Sequence, residues 1–374
     1  MSRKSHKVFT KLFEQAGIPI NGPEPYSIHV HNDKLWDRLL DQRLLGLAEG
    51  YVDGWWSCER VDEMLTRFTN IDLAKQIPMS PSIAIAAAWS RIANRQNRSR
   101  SPKNAEFHYG IGNDLFELML DDYMMYSCGY WQKAKNLDDA QIAKMDLICK
   151  KLKLKPGMRV LDIGCGWGGF LEYAAKTYGV TGVGITPVDK QISTAIKRCE
   201  PLGIEIHKLT YQELNGQFGK FDRTVSIGMM EHVGPKNLKL FFDKCDEQLT
   251  DKGIMLHHLI GSTRARHDAD PFYDRYIFPG GILPSVSQFT AAAEPNWVIE
   301  DVHNFGMDYA KTLAEWYKNV TSSWDEIPSY DEKFRKMWEF YLLACIGGFM
   351  SRKFNLWQYV MRRKGMDFER YTCR

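Results

Sequence analysis

The chain lacks an apolar run of the roughly 18–20 residues that a membrane-spanning helix requires, so any contact with a bilayer is expected to be peripheral. It lacks an excess of either charge: 49 Lys and Arg stand against 46 Asp and Glu, and a net charge of +3 is no signature of nucleic-acid binding. Its eight cysteines show no short paired spacings and no zinc-like cluster, and no secretory leader precedes them. The expectation is therefore reduced thiols in a cytoplasmic protein, with no metal site. Internal repeats and low-complexity tracts are also missing, which excludes a repeat architecture.

What is present is ordinary for a soluble globular protein, 44% hydrophobic and 25% charged residues over 374 positions, long enough for two domains of about 150 residues each. Aromatic residues are plentiful: 11 Trp, 17 Tyr and 19 Phe. That supply suits an apolar ligand pocket, although most of these rings belong in a core. The first 92 residues carry helical spacing, as in LWDRLLDQRLLGLAEGYVDGWW, where Leu35, Leu39 and Leu40 share a face. They predict a small, mainly helical domain. SIAIAAAWSRIANR follows, with Ile85, Trp89 and Ile92 on one stripe, and from Arg91 to Lys103 five basic residues occur without an acidic one. The plain reading of 93–105 is a solvated interdomain linker. The sharper reading is contact with an anionic leaflet, where each basic residue beside an interfacial Trp gains about 1 kcal/mol.

From residue 106 to 374 the pattern is α/β. Strand candidates are Arg159 to Ile163, Thr181 to Thr186, Ile204 to Leu209, Phe221 to Ile227 and Ile254 to Ile260, with helical stretches between most of them. Such alternation predicts an open, mostly parallel sheet with helices on both faces, and ligands outside the carboxyl ends of its strands. Those ends carry Asp162 to Gly169, Thr186, Thr210 with Tyr211, Glu231 with His232, and His258. The first of them, VLDIGCGWGGF at Val160 to Phe170, reads as a buried strand running into a glycine loop that lets the backbone approach a ligand. GxGxxG alone would also suit a dinucleotide. Asp162, still inside the strand, points instead to a cationic ligand with an amino group, as in S-adenosylmethionine. A long stretch rich in Gly, Pro and aromatics, 261–295, reads as a lid over the active edge. The chain then returns to strand in WVIEDVHNF before closing on helices.

Taken in order, LGLAEGYVDGWW, GNDLF, MYSCGYW, LKPGMRVLDIGCGWGG, GMMEHVGPKN, YIFPGG with LPS, HNFGMDYAKTLAEWY and ACIGGF resemble the cyclopropane-fatty-acyl-phospholipid synthases from about residue 10 to the end. The resemblance implies a Rossmann-like class I methyltransferase with a mostly parallel seven-stranded sheet, preceded by a helical lipid-binding domain. It implies transfer of a methylene from S-adenosylmethionine to the cis double bond of an unsaturated phospholipid acyl chain, at the inner face of the membrane, by a homodimer. The cofactor positions it implies are Tyr126, Ser127, Val160, Leu161, Asp162, Ile163, Gly164, Cys165, Gly166, Trp167, Gly168, Thr186, Gln191, Tyr211 and Gln212. The base it implies is bicarbonate, held by Cys128, Glu231, His258 and Tyr317. Of the neighbours His257 and His258, only one can face the site, and spacing to Gly261 and Ser262 favours the latter. Cys345 of ACIGGF is a further candidate, although a thiol on an apolar helix is more simply a packing residue. Two positions depart from the family's pattern: Gly110 stands where an Asp is usual, and Thr210 where many relatives carry an Asp.

Methyl transfer to an alkene leaves a carbocation that aromatic faces can stabilise and a base must quench. The rival readings are an amine N-methyltransferase on the same fold, a lipid C-methyltransferase with a non-cyclopropane product, and a noncatalytic lipid- or cofactor-binding protein. A flavin or nicotinamide oxidoreductase is disfavoured, because the second strand ends in GITP without an acidic residue for a ribose.

Overall fold

The computed structural model describes residues 2–71, 96, 100, 103–104, 106, 111–365 and 370–372. The stripe of Ile85, Trp89 and Ile92, most of the basic linker, and Gly110 lie outside the described residues. The chain opens with four helices, α1 (Ser2–Gln15), α2 (Leu35–Gln42), α3 (Leu44–Val52) and α4 (Val61–Thr69), and two two-residue strands, β1 (His29–Val30) and β2 (Trp56–Ser57), that pair antiparallel. Of the three leucines expected on one helical face, Leu35 and Leu39 are buried and Leu40 is half-buried against the same core.

After α5 (Asn113–Met119) and α6 (Leu137–Lys151) come β3 (Arg159–Ile163), α7 (Gly169–Tyr178), β4 (Thr181–Thr186), α8 (Asp189–Cys199), β5 (Ile204–Lys208) and β6 (Phe221–Ile227). The chain continues through α9 (Leu238–Gln248), β7 (Leu249–Ser262), α10 (Pro271–Tyr276), α11 (Val286–Ala293), β8 (Trp297–Asn304), α12 (Gly306–Ser322), α13 (Glu332–Met350) and β9 (Phe354–Arg363). Helix α6 shows why its sequence starts and stops where it does. The Asn136 side chain accepts a bond from the Asp139 N–H, acidic residues fill the first turn and lysines the last, each end opposing the helix dipole.

The seven strands order as β5-β4-β3-β6-β7-β9-β8, parallel except where β9 runs antiparallel between β7 and β8. The chain leaves β3 toward β4 and β5 and returns on the other side at β6. This reversal opens a crevice beyond the carboxyl end of β3, where open α/β sheets bind ligands. Successive strand residues serve opposite layers: Val160 packs with Ile148, Phe170 and Leu171 on one face, Leu161 with Phe241 and Phe242 on the other.

A third core joins the amino-terminal helices to α12 and α13, running from Phe9, Trp36, Met64 and Leu65 to Trp316, Trp338, Phe340 and Phe349. Gly347 permits that junction: a Cβ there would lie 3.1 Å from the Thr66 backbone nitrogen. The stretch 261–295 folds over the carboxyl edge and docks on α3, where Glu49 accepts from Arg275 Nη1 at 3.1 Å and from the Tyr276 hydroxyl at 2.8 Å. No helix among the described residues is long and apolar enough to cross a membrane.

Candidate active site

Two cavities meet at the carboxyl edge of the sheet. The first lies over the end of β3 and is walled by the glycine loop, by Tyr126 and Ser127, and by residues at the ends of β4 to β6. Gly164 makes the turn at φ +89°, and a Cβ there would sit 2.8 Å from Met229 Cγ. Only glycine keeps this loop low enough to leave the crevice open. Asp162 is 2% exposed, and its Oδ1 has no hydrogen-bond partner. Burial pushes this carboxyl up to about 7, with the Lys144 ammonium pulling the other way. A buried carboxylate with an unpartnered oxygen at the mouth of a glycine loop is the acceptor that a ligand's ammonium group would complete. Thr186 bonds Gln191 Oε1 at 2.8 Å across the next strand end, and the Tyr211 ring closes the far wall.

The wall formed by 124–131 is held from both sides. On one side Gln141 Nε2 donates to the carbonyls of Met125 and Ser127 at 3.1 and 2.9 Å, and the buried Lys144 Nζ donates to Ser127 Oγ at 2.8 Å. Burial lowers that ammonium to about 8 against the raising influence of Asp121, Cys128 and Asp162. On the other side, Thr312 Oγ1 accepts from the Gly129 N–H at 3.0 Å and from Trp131 Nε1 at 2.9 Å, and Asp308 accepts from the Trp131 N–H at 2.7 Å.

The second cavity is mainly apolar and runs between the sheet edge, the 261–295 cover, α12, α13 and the amino-terminal helices. Leu44 and Leu65 come from the amino-terminal helices, Phe278, Ile282 and Leu283 from the cover, and Tyr309, Leu313, Tyr341 and Phe349 from α12 and α13. Tyr126, Gly228 and His232 line both cavities and so form their junction. The hydroxyls of Tyr126 and Tyr341 share a 2.7 Å hydrogen bond there. Burial alone drives His232 down to about 4, which makes it a neutral ring at neutral pH.

The structure separates the predicted residues. Of the cofactor set, Tyr126, Ser127, Asp162, Ile163, Gly164, Cys165, Gly166, Trp167, Thr186, Gln191 and Tyr211 line the first cavity. Val160 and Leu161 are buried inside β3, Gly168 packs against Cys199 and Ala195, and Gln212 donates to the Tyr211 hydroxyl from behind. Thr210 lines the cavity, and its hydroxyl and N–H both bond Glu213 Oε2 at 2.9 Å, capping the turn that carries Tyr211.

Glu231 lines the second cavity at 7% exposure. Its Oε1 accepts from the Ile260 N–H at 2.5 Å while Oε2 has no partner. Burial raises this carboxyl to about 7, the Ile260 bond opposing. Its carbonyl accepts from the Ile282 N–H at 3.0 Å, so the cover is pinned to this residue's own backbone. His258 is fully buried, with Nδ1 against Gln358 Nε2 at 3.2 Å and Nε2 unpartnered; burial, with Lys144 and Lys151 adding to it, holds it neutral. His257 points to the opposite layer among Phe241, Phe242 and Phe289, bonded to Ser226 Oγ. Cys128 lines neither cavity; its buried thiol donates to the Gly129 carbonyl and is pushed well up by burial, then by Asp308. Tyr317 also lines neither: its hydroxyl is raised by burial, then by Glu339 and Asp62, charges outside the junction. Tyr309, two helical turns earlier, is the α12 tyrosine in the cavity wall, raised by burial first and then by Cys128, Tyr126 and Glu231. Cys345 lines the same wall 3.6 Å from the Tyr273 hydroxyl, and burial keeps it a thiol up to about 12.

Residues 96–359 match the family model described as mycolic acid cyclopropane synthetase. The chain is 46% identical over 359 residues to cyclopropane-fatty-acyl-phospholipid synthase of Escherichia coli (strain K12), covering 96% of this chain and 93% of that protein. Among solved structures, the mycolic acid cyclopropane synthase CmaA1 in complex with SAH and CTAB superposes with a TM-score of 0.64 at 29% identity, covering 70% of this chain and 98% of that one. A coclaurine N-methyltransferase superposes with a TM-score of 0.68 over 84% of this chain and 98% of that one, and at 19% identity this likeness shows the fold alone.

Proposed function

The chain belongs to the cyclopropane-fatty-acyl-phospholipid synthase family of S-adenosylmethionine-dependent methyltransferases, and we propose that it converts cis double bonds of phospholipid acyl chains to cyclopropane rings. The observation that carries this reading is the junction at Tyr126, Gly228 and His232, where a crevice with a buried, unsatisfied carboxylate opens into a large apolar cavity. S-adenosylmethionine, when bound, supplies an electrophilic methyl group. Asp162 fits its ammonium, and the loop at Gly164 and Gly166 gives its carboxylate and ribose room.

An alkene is a weak nucleophile, so the cavity must work by placement: its walls hold the acyl chain with the double bond at the junction and keep water out. Tyr126, Tyr309 and Tyr341 line the cavity in which the carbocation is left on the chain. A well-placed ring in a dry site contributes about 2 kcal/mol. Ring closure needs loss of a proton from the new methyl group. Glu231, with its carboxyl raised to about 7 and an unpartnered oxygen, is a titratable group of the cavity wall able to receive it or to hold a small anion that does. We read that anion as bicarbonate; of the family pattern's contacts for it, Glu231 lines the cavity, whereas Cys128, His258 and Tyr317 line neither cavity. Neutral histidines at 232 and 258 add no full charge to repel the cation.

The enzyme is further proposed to act as a homodimer on the anionic inner face of the membrane. The functional reading is tested by cofactor consumption on vesicles of dioleoyl and dipalmitoyl phospholipid. S-adenosylhomocysteine should accumulate only with the unsaturated lipid, and equal release with both would overturn it.

A further inference from the structure

Lys144 is a fully buried cation behind the wall of the first cavity. It lies on α6, one turn after Gln141. Its Nζ makes one hydrogen bond among the described residues, donated to Ser127 Oγ at 2.8 Å, and Ser127 lines the cavity. Two buried carboxylates attract it through space, with no ion-pair contact among the described residues. Asp121 accepts from the N–H groups of Tyr123 and Met125 at 3.0 and 2.9 Å, whereas Asp162 keeps its Oδ1 unpartnered. The other titratable groups around them are neutral: the thiols of Cys128, Cys165 and Cys199 are raised by burial, and His258 is lowered by it. Two carboxylates against one ammonium leave this floor with one net negative charge.

A buried carboxylate left without a cation takes up a proton instead of staying charged. A contact salt bridge would keep Asp162 charged, but it would also occupy the oxygen that a ligand needs. The Ser127 hydroxyl resolves this by tethering the ammonium short of Asp162, so that its attraction reaches the carboxylate while Oδ1 stays unpaired. Resting on the reading of the first cavity as the S-adenosylmethionine site, we propose that Lys144 is a positioning residue, which anchors Ser127 in the cavity wall and is the standing counter-ion that keeps Asp162 a carboxylate until the cofactor's ammonium arrives. The arriving ammonium is then the second cation and brings the floor to neutrality.

Two readouts that do not depend on turnover test this in the full-length protein. One is calorimetric titration with S-adenosylhomocysteine across pH; the other is the carbon-13 resonance of the Asp162 carboxyl without ligand, assigned by Asp162→Asn. In Lys144→Met both pH profiles should move up by about one pH unit. Starting from a carboxyl at about 7, that move cuts its charged fraction at pH 7 from about a half to about a tenth, and affinity there falls about fivefold. Lys144→Arg should keep the wild-type profiles. Gln141→Leu loosens the same wall through the Met125 and Ser127 carbonyls without changing charge, so any loss of affinity should leave its pH profile unmoved. Weakening in Lys144→Met with unmoved profiles, or an equal movement in Gln141→Leu, makes the role purely structural and overturns the proposal. Should the methionine variant fail to fold, the wild type decides. Its Asp162 resonance should show a second inflection near pH 8, where Lys144 loses its proton, and Lys144→Arg should lack it. A single inflection in both overturns the counter-ion role. Profiles of Asp162 that move as expected in a protein that binds no S-adenosylhomocysteine leave the counter-ion standing and remove the cofactor reading of the cavity.

Discussion

Replacing Glu231 by Gln removes one titration from the wall of the lipid cavity while keeping the shape of the side chain. In the folded protein this carboxyl is raised from 4.5 to about 7, and the first cause is burial. Below about pH 4.5 both folded and unfolded chains hold the proton, and the group has no effect. Between 4.5 and 7 the unfolded chain releases its proton first, so the folded state loses stability as pH rises, and above 7 the penalty is constant. At 1.36 kcal/mol per unit the penalty is about 3 kcal/mol. Glutamine keeps the acceptor for the Ile260 N–H and does not ionise. Its amide nitrogen, at the position of the unpartnered Oε2, adds a roughly constant cost of about 1–3 kcal/mol. Urea unfolding of both proteins from pH 5 to 8.5 should show the variant gaining on the wild type by most of that 3 kcal/mol as pH rises to 7.5. A difference in stability that does not change with pH would refute the buried, raised carboxyl. In turnover the same variant should lose about 10²–10⁴-fold, the range of a missing acid–base group, with S-adenosylhomocysteine affinity unchanged. Weakened cofactor binding would contradict the placement of Glu231 on the lipid side.

Asp162→Asn removes the charge facing the crevice, and S-adenosylhomocysteine affinity, measured by calorimetry, should fall about 10- to 100-fold for a lost charge-assisted bond. In the wild type the carboxyl near 7 must lose its proton to meet an ammonium, so affinity should climb up to about pH 7 and level off above it. Gly164→Ala forces a side chain to φ +89° against Met229, and thermal melts should show a loss of about 1–3 kcal/mol with weakened cofactor binding. Tyr309→Phe should reduce kcat more than Tyr317→Phe, since only the former tyrosine lies in the cavity wall; the reverse order would favour the position chosen from the sequence pattern.

The parallel half of the sheet was legible strand by strand, although β7, expected at Ile254–Ile260, runs from Leu249 to Ser262. Arg159–Ile163, Thr181–Thr186 and Phe221–Ile227 form as their buried apolar runs predict, and β5 stops at Lys208, one residue before the expected Leu209. The final strand was not located. In FNLWQYVMRR every position but the first and last is buried, polar Asn355, Gln358 and Arg362 included, so it shows no alternation. It also follows directly on an apolar helix, and its place between β7 and β8 is fixed by partners about 100 and 60 residues away. The glycine loop and Asp162 were readable because strand, turn and helix there are local. The choice between Tyr309 and Tyr317 was not, because residues eight apart fall near one helical stripe and only packing decides which end of it meets a cavity.

The central claim, that the two cavities bring a methyl donor to the double bond of a phospholipid, is tested most directly by mass spectrometry of lipid. Dioleoyl phospholipid vesicles, S-adenosylmethionine and the purified protein are incubated with and without bicarbonate, and the acyl chains are weighed. Chains heavier by one methylene, formed faster with bicarbonate, are the predicted result. A gain indifferent to bicarbonate would remove only the proposed base, whereas acyl chains of unchanged mass under both conditions would contradict the account itself.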